Sequence, residues 1–177
     1  EAFDVPIWSG SEDADRVLKD GEKLQLGSQE WTVLHTPGHH PEHLCLISNS
    51  GLIAGDMVAG IGTILVPPGQ GNMMTYIEQL ERLLDLDPHL IFPSHGPVIP
   101  LPSRTLEHYI RHRSIRHDKV LAAVEEGNSN LEAIARIAYQ DTPDAHPGLA
   151  VDQTLSHLLS HEKDGKVMRV NDGWVRA

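Results

Sequence analysis

The segment His35-Thr36-Pro37-Gly38-His39-His40-Pro41-Glu42-His43 constrains this chain most, because it puts four histidines within nine residues between two strand-like runs. Pro37 fixes one backbone angle and Gly38 permits a left-handed one, so the loop can hold His39 at a rigid strand end. Histidine is the commonest metal ligand, and a metal site needs ligands held in this way. Two more pieces share the layout: Gly55-Asp56 closes one apolar run, and Ser94-His95-Gly96-Pro97 closes another. Three candidate ligands, His39, Asp56 and His95, thus emerge from strand ends beside glycines.

Composition narrows the setting. The chain has 177 residues, 40% hydrophobic and 22% charged, which suits one globular domain or one and a half. Its single cysteine, Cys45, excludes an internal disulfide and a thiolate-rich zinc site and points to the cytoplasm. Alternation with Leu44 and Leu46 makes Cys45 a buried strand residue rather than a ligand or nucleophile. No stretch has the roughly 18 apolar residues of a membrane span, and no signal peptide is present, so no membrane partner is expected.

A net charge of −11 argues against non-specific nucleic-acid binding by the whole chain. The charge is uneven. Residues 1–102 hold four basic and fourteen acidic residues, whereas residues 103–177 hold ten and eleven, which marks a domain boundary. Neither a Gly-x-Ser-x-Gly elbow nor a phosphate-binding P-loop occurs.

Residues 1–22 read as loop, with one or two helical turns over Asp13 to Asp20. Alternation predicts a hairpin through Leu24, Leu26, Trp31 and Val33, turning at Gly27-Ser28, and a second through Leu44 to Ile47 and Leu52 to Ala54. Val58 to Val66 reads as a loop near a site, and Pro67 to Asn72 either lines a pocket or merely connects. Asn72 caps a helix to about Leu86, and Leu90 to Phe92 form a buried strand.

Beyond residue 102, a long helix capped by Ser103 runs to about Glu126. Helices over Leu131 to Tyr139 and Gly148 to Glu162 follow, then a hairpin turning at Asn171-Asp172-Gly173. Three helices and a hairpin describe a winged-helix-like module. Arg104, His108, Arg111, His112, Arg116 and Lys119 read as a solvated basic face of the long helix, with a phosphate-backbone contact as the functional alternative.

The three strand-end pieces, in order over residues 24–100, resemble the metallo-β-lactamase-fold hydrolase superfamily, which includes glyoxalase II, thioesterases and β-lactamase-like endoribonucleases. The resemblance implies an α/β fold: residues 1–102 as the second half of an αββα sandwich, and 103–177 as a winged-helix-like domain. It makes His39 a ligand at one metal position, His95 at the other, and Asp56 the bridge between them. His35 and His43 become supporting residues, and His40 faces solvent. The family's His-x-His-x-Asp-His motif, which supplies further ligands and the carboxylate that orients the attacking water, is nowhere in the chain. The chain opens at Glu1 with no initiator Met, so the resemblance implies a fragment that begins after that motif, short by about a hundred residues.

The implied chemistry is zinc-dependent hydrolysis, in which hydroxide on one or two zinc ions attacks an ester, a thioester or an RNA phosphodiester. The partners are accordingly a small-molecule ester or thioester or single-stranded RNA. The incomplete ligand set predicts a parent that is an enzyme and a chain that alone is a poor catalyst. The C-terminal module reads as a lid or homodimer contact, since its last helix carries little to present to a DNA groove. A second class stays open: a non-catalytic binding or assembly module with a relic metal site.

Overall fold

The computed structural model describes residues 5–177. The chain enters through two short parallel strands, β1 (Trp8–Ser9) and β2 (Arg16–Val17). The helical turns expected over Asp13 to Asp20 do not form. Arg16 and Leu18 donate their N–H groups to the carbonyls of Ile7 and Ser9, and Asp15 accepts from the Ile7 N–H at 2.7 Å, which holds the segment extended.

A five-stranded sheet follows, in the order β3 (Lys23–Leu26), β4 (Gln29–His35), β5 (Leu44–Ser48), β6 (Gly51–Gly55) and β7 (Ile91–Pro93). The first four strands pair antiparallel at turns where the sequence placed them, with Gly51 taken into β6. The last pair, β6 and β7, is parallel. Parallel neighbours need a crossover, and α1 (Met73–Asp85) lies within it. Two antiparallel steps separate β4 from β6, so β4, β6 and β7 all point the same way and end at one edge of the sheet.

The Asn72 side chain caps α1 by accepting from the Thr75 N–H at 2.9 Å. Met73, Tyr76, Ile77, Leu80 and Leu83 recur at helical spacing and are buried against Leu34, Cys45, Leu52, Ala54 and Ile91 of the sheet. Leu106 and Tyr109 of α2 (Pro102–Glu125) complete this core. Ser103 is not the cap of α2. The helix starts one residue earlier at Pro102, whose missing N–H costs nothing in a first turn, and no side chain caps it.

With 24 residues, α2 is about 36 Å long and runs on into a second core. There Val120, Ala123 and Val124 meet Ile134 of α3 (Leu131–Ala138), Leu158 of α4 (Pro147–Lys163), and Val167 and Trp174 of the hairpin β8 (Val167–Val170) and β9 (Gly173–Arg176). Among the described residues no helix is long and apolar enough to cross a membrane. The α2 stripe read as a solvated face is only partly so. Arg116 is buried, donating to the Ala138 carbonyl, to Asp141 at 2.9 Å and to Thr142 at 3.0 Å, with its guanidinium over the Tyr139 ring. Lys119, also bonded to Asp141, joins Arg116 in holding that carboxyl well below the usual carboxylate range.

Three histidines, His117, His157 and His161, lie buried between α2 and α4. The Nδ1 atoms of His117 and His157 are 3.1 Å apart, so one ring donates to the other. His161 stacks on His117 with centroids 3.6 Å apart and donates from Nε2 to the His117 carbonyl. Burial depresses the pKa of all three, that of His117 to about 3, with repulsion from neighbouring rings adding to it at His117 and His157 and the Lys166 charge adding to it at His117 and His161. Above pH 6.5 both folded and unfolded histidines are neutral. Below it the unfolded chain takes up protons that the folded chain refuses, so stability falls as pH drops. Each histidine costs about 1.4 kcal/mol per pH unit until its folded pKa is reached. Urea unfolding at pH 7.5 and pH 5.5 is expected to show this loss, and His157→Leu to make stability less steeply dependent on pH. Equal pH slopes for the two proteins would rule the cluster out as the cause.

Candidate metal centre

Because β4, β6 and β7 end at one sheet edge, His39, Asp56 and His95 meet there from three separate loops. His39 Nε2 lies 3.7 Å from Asp56 Oδ2, and His95 Nε2 lies 3.2 Å from Asp56 Oδ1. One carboxylate thus faces two imidazoles, one on each oxygen. The first contact is too long for a hydrogen bond and the second lacks the alignment of one, and Oδ1 is buried without a donor. A buried carboxylate oxygen left in this state calls for a cation. Tetrahedral zinc with ordinary bond lengths separates neighbouring donor atoms by roughly 3.3 to 3.6 Å, and the two observed separations bracket that range. The residues therefore fit two cation positions with two donors each. Among the described residues no group of three His, Cys, Asp or Glu closes on a single point.

The orientation of His39 is fixed by chemistry. Its Nδ1 lies 2.7 Å from the Leu65 carbonyl, which only accepts, so Nδ1 carries the proton. In the neutral ring the lone pair is then on Nε2, facing Asp56.

His43 holds Asp56 from behind. The Asp56 N–H donates to His43 Nε2 at 2.9 Å, so Nδ1 is the protonated nitrogen and donates to the buried Thr36 hydroxyl at 2.8 Å. Thr36 is then free to donate to the Cys45 sulfur at 3.3 Å, and Cys45 donates to the Ala54 carbonyl at 3.4 Å. Burial and the nearby His39 push the His43 pKa down to about 4, so it acts as a neutral acceptor at pH 7. Burial raises the Cys45 thiol to about 12, which makes it inert, in keeping with a structural strand cysteine.

His35 sits outside this chain of bonds. Its Nε2 donates to the Pro41 carbonyl at 2.7 Å, fastening the loop that carries His39. His40 is exposed. Residues 67–72 do not line the pocket at the site. That pocket, about 440 Å³, is lined by His39, Asp56 and His95 with Ile61 to Leu65. Gly71 instead closes a turn on Pro67.

Close packing dictates two glycines. A Cβ on Gly38, at φ +135°, would stand 2.4 Å from Tyr76 Cα, so the loop approaches α1 as no other residue could. Gly55 has φ +51°, and a Cβ there would stand 2.4 Å from His43 Nε2. Gly55→Ala is expected to destabilise the protein by about 1–3 kcal/mol in urea unfolding. It should also displace the His43 ring, seen as a shifted imidazole resonance. A stability change below about 0.5 kcal/mol with that resonance unmoved would refute the packing argument.

The groups missed from sequence are the Thr36 hydroxyl and the Leu65 carbonyl. Thr36 stood in the quoted motif, but nothing in spacing shows where a hydroxyl or a main-chain oxygen points.

Residues 4–95 match the family model for the metallo-beta-lactamase superfamily. The chain is 37% identical over 139 residues to the beta-lactamase-like protein 2 homolog of Drosophila melanogaster, a match spanning 76% of this chain and 46% of the fly protein. It is 24% identical over 174 residues to the atrochrysone carboxyl ACP thioesterase of Paecilomyces divaricatus, across 96% of this chain and 54% of that protein. A beta-lactamase domain protein from Burkholderia ambifaria superposes with a TM-score of 0.79 at 27% identity, over 92% of this chain and 52% of its own. The chain spans about half the length of the relatives it matches.

Proposed function

Because this chain belongs to the metallo-beta-lactamase superfamily, we propose that His39, Asp56 and His95 are its share of a zinc-dependent hydrolytic centre. The observation that carries this reading is the unsatisfied Asp56 carboxylate with an imidazole Nε2 at each oxygen, 3.2 and 3.7 Å away. Zinc held by these residues would supply a water of lowered pKa and a Lewis acid for the scissile oxygen. Asp56 would offer one carboxylate oxygen to each position, and His43 keeps it in place through the Asp56 N–H. The Leu65 carbonyl aims the His39 lone pair, and the exposed side chains of Ile61 and Leu65 give the pocket an apolar rim for an acyl group.

An ester or thioester is the substrate class we favour. The apolar rim supports it, and so does the name of the Paecilomyces relative, a thioesterase. One observation favours an RNA phosphodiester as the second reading. Exposed Arg104, His108 and Arg111 line a cleft of about 700 Å³ that reaches Ala59 and Gly60 beside the site. In this proposal α2, α3, α4 and the β8–β9 hairpin are the winged-helix-like module, and the carboxylate that orients attacking water comes from outside the present ligand set.

Equilibrium dialysis against zinc at neutral pH tests the assignment. Asp56→Asn is expected to remove uptake at both positions, and His39→Ala and His95→Ala each at one. His43→Phe should weaken affinity about 10- to 100-fold, the usual effect of losing a group that orients a ligand. Zinc uptake that survives Asp56→Asn unchanged would overturn the reading in favour of a non-catalytic module.

A further inference from the structure

The loop from Met57 to Val66 has no regular structure and is buried at both ends but exposed at Ile61 to Thr63 and at Leu65, yet its polar groups are met one after another by side chains from three helices. Tyr76 donates to the Met57 carbonyl at 2.6 Å. Tyr109 accepts from the Ala59 N–H at 3.0 Å and donates to the Gly62 carbonyl at 3.3 Å. Arg113 donates to the Thr63 hydroxyl at 2.8 Å and to the Ile64 carbonyl. Gln153 of α4 pairs with both the N–H and the carbonyl of Val66, each at 3.1 Å, and also accepts from Arg113 at 3.2 Å. Ser156 adds a bond to the Val66 carbonyl at 2.5 Å.

The residue bracketed by these bonds is Leu65, whose carbonyl accepts from His39 Nδ1. Arg113 and Gln153 are themselves buried, and no carboxylate pairs with Arg113 among the described residues. A guanidinium is costly to bury, and here the bonds that its two terminal nitrogens make all go to one loop and to the glutamine that holds the same loop, while Nε has no partner.

We propose that Arg113 and Gln153 are positioning residues for His39: by clamping the backbone on either side of Leu65, they fix the carbonyl that holds His39 in its Nδ1–H tautomer, with Nε2 free towards Asp56. The C-terminal helices thereby set the direction of a ligand that lies far from them in sequence. The functional meaning rests on His39 being a metal ligand, but the structural consequence is measurable on the metal-free chain.

Long-range proton–nitrogen NMR correlations of the His39 ring, assigned with His39→Gln, report which nitrogen carries the proton at mildly alkaline pH. The native chain is expected to show Nδ1–H alone. Arg113→Lys and Gln153→Leu are expected to give a mixture of both tautomers, and the milder Ser156→Ala a smaller shift the same way. Arg116→Lys is the control, because Arg116 is equally buried but bonds Ala138, Asp141 and Thr142 instead of the loop. It should leave His39 unchanged. An unmixed Nδ1–H signal in folded Gln153→Leu and Ser156→Ala, or an equal shift in Arg116→Lys, would overturn the proposal. A chain that takes up no zinc while these tautomer shifts occur would instead remove the hydrolase reading alone.

Discussion

The structure turns on how one irregular, partly buried segment satisfies its backbone. Between β6 and α1 the chain packs Met57 to Ala59, Ile64 and Val66 into the core with neither sheet nor helix to pair their N–H and C=O groups, and an unpaired buried group of this kind costs about 1–3 kcal/mol. Tyr76, Tyr109, Arg113, Gln153 and Ser156 supply the partners. This requirement explains why α2 turns Tyr109 and Arg113 inward and α4 turns Gln153 and Ser156 inward. The same segment forms one wall of the pocket at His39, Asp56 and His95, so the stability of the fold and the geometry of the candidate site depend on one set of bonds.

A second chain of bonds runs under the site from the other side. Asp56, His43, Thr36, Cys45 and Ala54 form a directional sequence in which each donor leaves only one role for the next group. His43 can take its place only as a neutral ring, and its burial ensures that. The result is an aspartate fixed through its backbone, whose carboxylate is free to face the two histidines. Gly55 is the steric condition for this arrangement, since any side chain there would occupy the space of the His43 ring.

Much of this was legible in the sequence. Asn72 was visible as a cap, and it accepts the bond such a residue accepts. The hairpins followed from alternation and turn residues, and the three strand-end pieces pointed to His39, Asp56 and His95. The failures have local physical causes. The Asp13 to Asp20 stretch is polar enough for a helical turn, but Asp15 is committed to the Ile7 N–H. Ser103 has the chemistry of a cap, but Pro102 can open a helix without one. Arg116 looked like part of a solvated stripe because charge is usually outside, yet the Ala138 carbonyl, Asp141 and the Tyr139 ring partner its guanidinium where it is buried, leaving only Nε without an acceptor.

The sequence by itself determined the strands and helices beyond residue 22 and which residues could be ligands, because those depend on periodicity, caps and glycines acting over a few neighbours. It did not determine that β4, β6 and β7 share a direction, which is what brings His39, Asp56 and His95 to one edge. Nor did it show that Arg113 and Gln153 brace the loop beside His39, or that His117, His157 and His161 share one buried site. Those relations join residues tens of positions apart, and only tertiary packing decides which polar group meets which. A hydrogen bond needs atoms within about 3 Å and in line, a condition that spacing along the chain cannot specify.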